Sequence, residues 1–89
     1  MTGRSFLIMN KIGLHARPAA VFVQTVNRFA SAITVESGGQ RADARNALDL
    51  LSLNVGKGMV ITVEVEGCDE NEAMKAIEEL VNNRFGEKE

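Results

Sequence analysis

VITVEVEGCDENEAMKAIEELV, residues 60–81, changes periodicity part-way along its length. Val60 to Glu66 alternates strictly, which predicts a strand with Ile61, Val63 and Val65 on its buried face and Thr62, Glu64 and Glu66 on the other. After the polar turn the spacing becomes helical. Asp69 is placed to cap the helix, Glu70 and Glu72 suit the positive end of its dipole, and Ala73, Ile77, Leu80 and Val81 form one apolar stripe. Phe85-Gly86 closes it. A one-sided strand followed by a one-sided helix predicts a layer of helices on one face of a sheet.

The rest of the chain reads the same way. Ser5 to Met9 predicts a strand with Phe6 and Ile8 on one face, leaving Leu7 and Met9 on the other. From Arg17 to about Phe29 the pattern is helical, with Ala19, Phe22, Val23 and Val26 on one stripe and Pro18 in the first turn. Ala32 to Ser37 alternates, and Gly38-Gly39 signals a hairpin into a short strand at Gln40–Asp43. Asn46 is a good N-cap for the short leucine-rich helix ALDLLSL, in which Leu50 and Leu53 serve the core. The order β-α-β-β-α-β-α predicts an α+β, two-layer sandwich in which helices cover one face of a mainly antiparallel sheet.

Length bounds the domain count. With 89 residues there is room for one domain, residues 1–89, and the composition, 45% apolar and 25% charged, is that of a globular protein. No apolar run has the length of a membrane span, and the four-residue apolar stretch near Met1 is too short for a secretory signal, so a cytoplasmic protein is expected. Cys68 is alone and there is no Cys/His cluster of zinc spacing, which leaves no disulfide and no expected metal or cofactor. Trp and Tyr are absent, the four Phe fall mostly on core stripes, and the sequence pI is near 5.4; these features argue against a nucleic-acid module. There is also no P-loop and no second histidine to support catalysis of a complete reaction. Residues 66–89 hold eight acids against three bases, whereas residues 1–65 hold seven bases against four acids, so the half containing His15 suits an anionic ligand or an acidic partner.

His15 stands directly before the first helix, in GLHARPAA (residues 13–20). A helix mouth carries unsatisfied N–H groups and partial positive charge, so an anion is stabilised there. Pro18 lacks an N–H, which leaves the amides of Ala16 and Arg17 as donors, and the Arg17 guanidinium matches phosphate oxygens. The same mouth disfavours charge on the imidazole and favours a neutral nucleophile. Gly13 and Leu14 are expected to form a loop that exposes the ring. These residues alone allow either a phosphoryl carrier or an anion-binding loop.

GLHARPAA closely resembles the active-site signature of HPr, the histidine-containing phosphocarrier family of the phosphoenolpyruvate-dependent phosphotransferase system. The resemblance continues through SLNVGKG (Ser52–Gly58), ITVEVEG (Ile61–Gly67) and DENEAMKAIEEL (Asp69–Leu80) and covers essentially the whole chain. It implies an open-faced β-sandwich of βαββαβα order, with a four-stranded antiparallel sheet covered on one face by three helices. It implies phosphorylation of His15 at Nδ1 by phosphorylated enzyme I, neutralisation of the phosphoryl group by Arg17, and transfer to an enzyme IIA-type acceptor. Partner docking maps onto Ala16, Arg17, Ala20, Gln24, Ala47, Leu48, Leu51 and Ser52. A monomer fits a protein that docks on successive partners, regulatory proteins among them.

Two departures bear on the circuit. Asn46 occupies the place where many HPr proteins carry a regulatory serine, so serine-kinase control is expected to be absent there. Ala47 is smaller than the family's usual apolar residue, and Asp49 is acidic where basic or small residues are common, which bears on partner choice. ARNALDLLSL also has some character of the nitrogen-related paralogues. The resemblance therefore implies a sugar-uptake carrier, with a nitrogen-branch regulatory carrier as the alternative; a binding module acting by contact alone is disfavoured by the presence of both His15 and Arg17.

Overall fold

The computed structural model describes residues 2–87. It contains β1 (Thr2–Leu7), α1 (Ala16–Val26), β2 (Ala32–Ser37), β3 (Gln40–Asp43), α2 (Ala47–Ser52), β4 (Val60–Glu66) and α3 (Glu70–Asn82), followed by a 3-10 turn at Arg84–Gly86. The four strands form one antiparallel sheet in the order β1-β4-β2-β3. The expected order and layering are therefore those of the molecule. No helix among the described residues is long and apolar enough to cross a membrane.

Registration explains the one-sidedness. Phe6 pairs with Ile61, Val35 with Val63, and Ile33 with Val65, so the apolar positions of three strands fall on one face. Phe22 and Val26 of α1, Leu50 of α2 and Ile77 of α3 pack on that face with no exposed surface. Each such side chain contributes roughly 1.5–3 kcal/mol of burial free energy. The uncovered face carries polar ladders instead, including Ser5–Thr62 at 3.1 Å and the Arg41–Glu64 ion pair at 2.7 Å. Leu7 is half exposed on it, as its place in the alternation implies.

Three local readings need correction. The first strand runs over Thr2–Leu7, not Ser5–Met9, because its ladder partner begins at Val60. Ile8 is still buried, but it bonds to a loop: its N–H donates to Met59 and its carbonyl accepts from Gly58. The first helix ends at Val26 rather than near Phe29. There the Arg45 guanidinium takes over: it donates to the carbonyls of Val26, Phe29 and Ser31 and to Oδ1 of Asn27. Asp69 occupies the N-cap position of α3 but makes no side-chain cap. Its carboxylate instead accepts from the N–H groups of Ala30 and Ser31 and from the Ser31 hydroxyl. Beside it Gly67 has φ +156°, and a Cβ there would collide with Ser31, so the approach of these two loops requires glycine.

Asn46 behaves as expected. Its Oδ1 accepts from the N–H groups of Leu48 at 3.0 Å and Asp49 at 3.2 Å, supplying the cap that starts α2.

Candidate functional site

His15 is the N-cap residue of α1, with extended backbone and no side-chain cap bond. Its carbonyl accepts from Ala19, committing the chain to the helix while leaving the imidazole free to project. The Ala16 and Arg17 N–H groups have no acceptor among the described residues, and Pro18 has no N–H to offer. Arg17 is exposed. The histidine side chain is about one-third exposed, at 32%. A partly exposed ring beside two open amides and an exposed cation is a site that can receive an anion.

The loop before the ring is anchored rather than loose. Leu14 is buried, and its N–H donates to the Val55 carbonyl at 2.9 Å. Gly13 has φ +79°, and a Cβ there would lie 2.3 Å from the Val55 oxygen, so only glycine permits this approach. Gly13 and Leu14 thus expose the ring by tying its base to the segment after α2.

A second segment reaches the ring from the far end of the fold. Nε2 of His15 lies 2.9 Å from Oε2 of Glu87. The other carboxylate oxygen accepts from Nδ2 of Asn10 at 2.9 Å, and the same Nδ2 donates to the Gly13 carbonyl at 2.6 Å. Asn10 is fully buried. Reversing its amide would set Oδ1 against two acceptors, so this orientation follows from the chemistry of the neighbours. The Asn10 amide holds the Glu87 carboxyl below its usual range against partial burial, with smaller help from His15 and from the positive field of Arg17. An ionised carboxylate only accepts, so the proton of the neutral imidazole belongs on Nε2. Nδ1 has no partner among the described residues.

Most of the expected docking positions are exposed. Ala16, Arg17, Ala20 and Gln24 are exposed along α1, and Ser52 is exposed on α2. Leu48 is 76% exposed, more than any other large apolar side chain described, which suits it to contact rather than packing. Ala47 and Leu51 are half-buried. Leu51 also lines an open cleft of about 350 Å³ together with Ile12, Leu14, His15, Asn54, Val55 and Gly56. Ile12, 65% exposed, lines that cleft and was not singled out from the sequence.

The family model for the PTS HPr component phosphorylation site matches residues 3–83. The chain belongs to the HPr family. It is 42% identical over 89 residues to phosphocarrier protein HPr of Neisseria meningitidis serogroup A, covering 100% of both chains. Phosphocarrier protein HPr of Cupriavidus necator is 40% identical over the same length, again with 100% of each covered. Among solved structures, HPr-C-His from Thermoanaerobacter tengcongensis superposes with a TM-score of 0.95 at 44% identity over 100% of both chains. An HPr dimer from that organism superposes with a TM-score of 0.78 at 45% identity, covering 98% of this chain and 100% of the other. The chain is thus a phosphocarrier of the HPr fold.

Asn10 and Glu87 are the site residues that sequence reasoning missed. They are separated by 77 positions, and neither belongs to the GLHARPAA signature. Phe85-Gly86 marked in the sequence only that α3 closes there, not that the chain turns back toward the histidine.

Proposed function

We propose that the protein carries a phosphoryl group on His15, taking it from phosphorylated enzyme I and passing it to an enzyme IIA-type acceptor in a cytoplasmic sugar phosphotransferase system. The observation that carries this reading is the open Nδ1 of a partly exposed histidine at the mouth of α1, beside the free amides of Ala16 and Arg17. The neutral ring attacks phosphorus through Nδ1, and the donor's bond to phosphorus breaks with its electron pair returning to the donor. The two amides and the Arg17 guanidinium receive the phosphoryl oxygens. The protein turns over no substrate by itself; it works as a stoichiometric carrier without a cofactor.

Partners dock as a monomer's transient complexes on the face made by Ala16, Arg17, Ala20, Gln24, Ala47, Leu48, Leu51 and Ser52. A small apolar centre around Leu48 with a polar and cationic rim supports contact that forms quickly and releases quickly. Asn46 supports a circuit without serine phosphorylation at the start of α2, because an amide cannot take a phosphoryl group. The character of ARNALDLLSL supports the alternative, a nitrogen-branch carrier in which the phosphorylation state itself is the signal.

Incubation with phosphoenolpyruvate and enzyme I tests the carrier reading: acid-labile phosphohistidine on His15 is the expected result, and its absence overturns it. Comparing the rates given by the sugar-branch and nitrogen-branch enzymes I, and offering sugar enzyme IIA components as acceptors, then separates the two branches.

A further inference from the structure

The contact between Glu87 and His15 is built, not incidental. Three successive residues after α3, Arg84, Phe85 and Gly86, have φ of +53°, +55° and +81°. For the two non-glycine residues such a backbone is strained and persists only where surrounding packing holds it. Here the holding element is Phe85, buried beneath the turn with its ring centroid 6.3 Å from that of Phe22 in α1. The turn reverses the chain, and Glu87 returns to extended backbone (φ -86°, ψ 147°) with its side chain at the mouth of α1. Asn10 then fixes the carboxylate by one oxygen, leaving the other for Nε2.

We propose that Glu87 is a positioning residue for phosphoryl transfer: it holds the Nε2–H of His15, presents the lone pair of Nδ1 to the incoming phosphorus, and counters the positive charge the ring acquires. The inference rests on the carrier reading above. When Nδ1 forms its bond to phosphorus, the donor's bond breaks with its electron pair and Nε2 keeps its proton. The phosphorylated ring is then formally cationic, with that charge shared by the N–H that faces Glu87. A carboxylate at this nitrogen fixes the tautomer and orientation of the ring and stabilises the developing cation, as carboxylates do for histidines in other reactive sites. Its negative charge opposes an approaching phosphoryl group, but it lies at Nε2 and not at Nδ1. The Asn10 amide and the field of Arg17 partly offset that charge.

The test uses the full chain labelled with 15N, with Glu87→Ala and Glu87→Gln beside the unsubstituted protein. Imidazole 15N shifts above the ring's titration range are expected to show Nε2 protonated in the unsubstituted protein, with Nδ1-protonated ring appearing in Glu87→Ala. Glu87→Gln, which keeps an oxygen acceptor but no charge, is expected to fall between the two. Transfer from phosphorylated enzyme I is expected to slow at least about tenfold in Glu87→Ala, the scale of losing a carboxylate that orients a histidine. Equal tautomer ratios and equal transfer rates in all three proteins overturn the proposal. Failure of the unsubstituted protein to accept phosphate overturns the carrier reading instead, and the tautomer measurement still reads the Glu87 contact.

Discussion

Asn10 and Glu87, 77 positions apart, meet through a single hydrogen bond of 2.9 Å, and Asn10 spends the other hydrogen of the same amide on the Gly13 carbonyl. One buried side chain thereby joins the loop that carries the histidine to the segment that approaches it from after α3. Replacing Asn10 by alanine leaves the Gly13 carbonyl without its side-chain donor. The expected loss is about 1–3 kcal/mol of stability, read from the urea midpoint at unchanged slope. His15 and Glu87 are expected to come apart in the same variant, visible as increased motion of the imidazole by NMR.

His15→Ala is expected to fold normally and carry no phosphate, since the residue contributes its backbone to the start of α1 and leaves its side chain partly exposed. Circular dichroism and a phosphohistidine assay on the same preparation check both halves. Arg17→Gln is expected to fold and to transfer slowly, because a charge-assisted contact to the phosphoryl group is lost. Unchanged transfer removes Arg17 from the mechanism.

Asp69 imposes a pH dependence on the fold. The Ser31 hydroxyl first, then the Ala30 and Ser31 amides, hold its carboxyl below the ordinary value of 3.8. A lowered folded-state value means that the stabilisation is fully present above 3.8 and is lost as pH falls through the folded value. Glu87, held below 4.5, acts in the same sense. Thermal midpoints are expected to drop as pH falls below about 4.5, and the drop is expected to flatten in Asp69→Asn, whose midpoint at neutral pH is already lower. A profile identical in the two proteins assigns acid sensitivity elsewhere.

Asn46→Ser is expected to preserve α2, because serine and asparagine cap equally well, with a stability change within about 0.5 kcal/mol; Asn46→Ala is expected to lose about 1 kcal/mol. Chemical denaturation distinguishes them. The serine variant also offers a hydroxyl at the helix start, so incubation with an HPr serine kinase is expected to phosphorylate it and not the parent.

Much of this was legible because burial and periodicity coincide. Ile61, Val63 and Val65, and likewise Ile33 and Val35, alternate in sequence and are all buried in the sheet. His15 was legible for a different reason: helix start, proline and arginine lie within four consecutive residues. What stayed hidden involves partners distant along the chain. Asp69 has the residue type and place of a helix cap, yet Ala30 and Ser31 compete for its oxygens and win. The first three residues of β1, Thr2 to Arg4, show no apolar alternation because an edge strand is specified by its neighbour's register. Glu87 needed the left-handed turn at Arg84 and Phe85, and nothing in the order of residues announces two non-glycine residues in that conformation.

The grip of Arg45 on the last carbonyl of α1, Val26, and on that of Phe29 beyond it, with Asp69 fastening Ala30 and Ser31, fixes the helix at the end away from the histidine. The helix is in effect a beam held at both ends, rooted at Val26 and, at the tip that bears its reactive group, tied down through Leu14 to Val55. A donor and an acceptor that press on that tip in turn meet one orientation of the helix, so a single shape can serve unrelated partners without being remade for each.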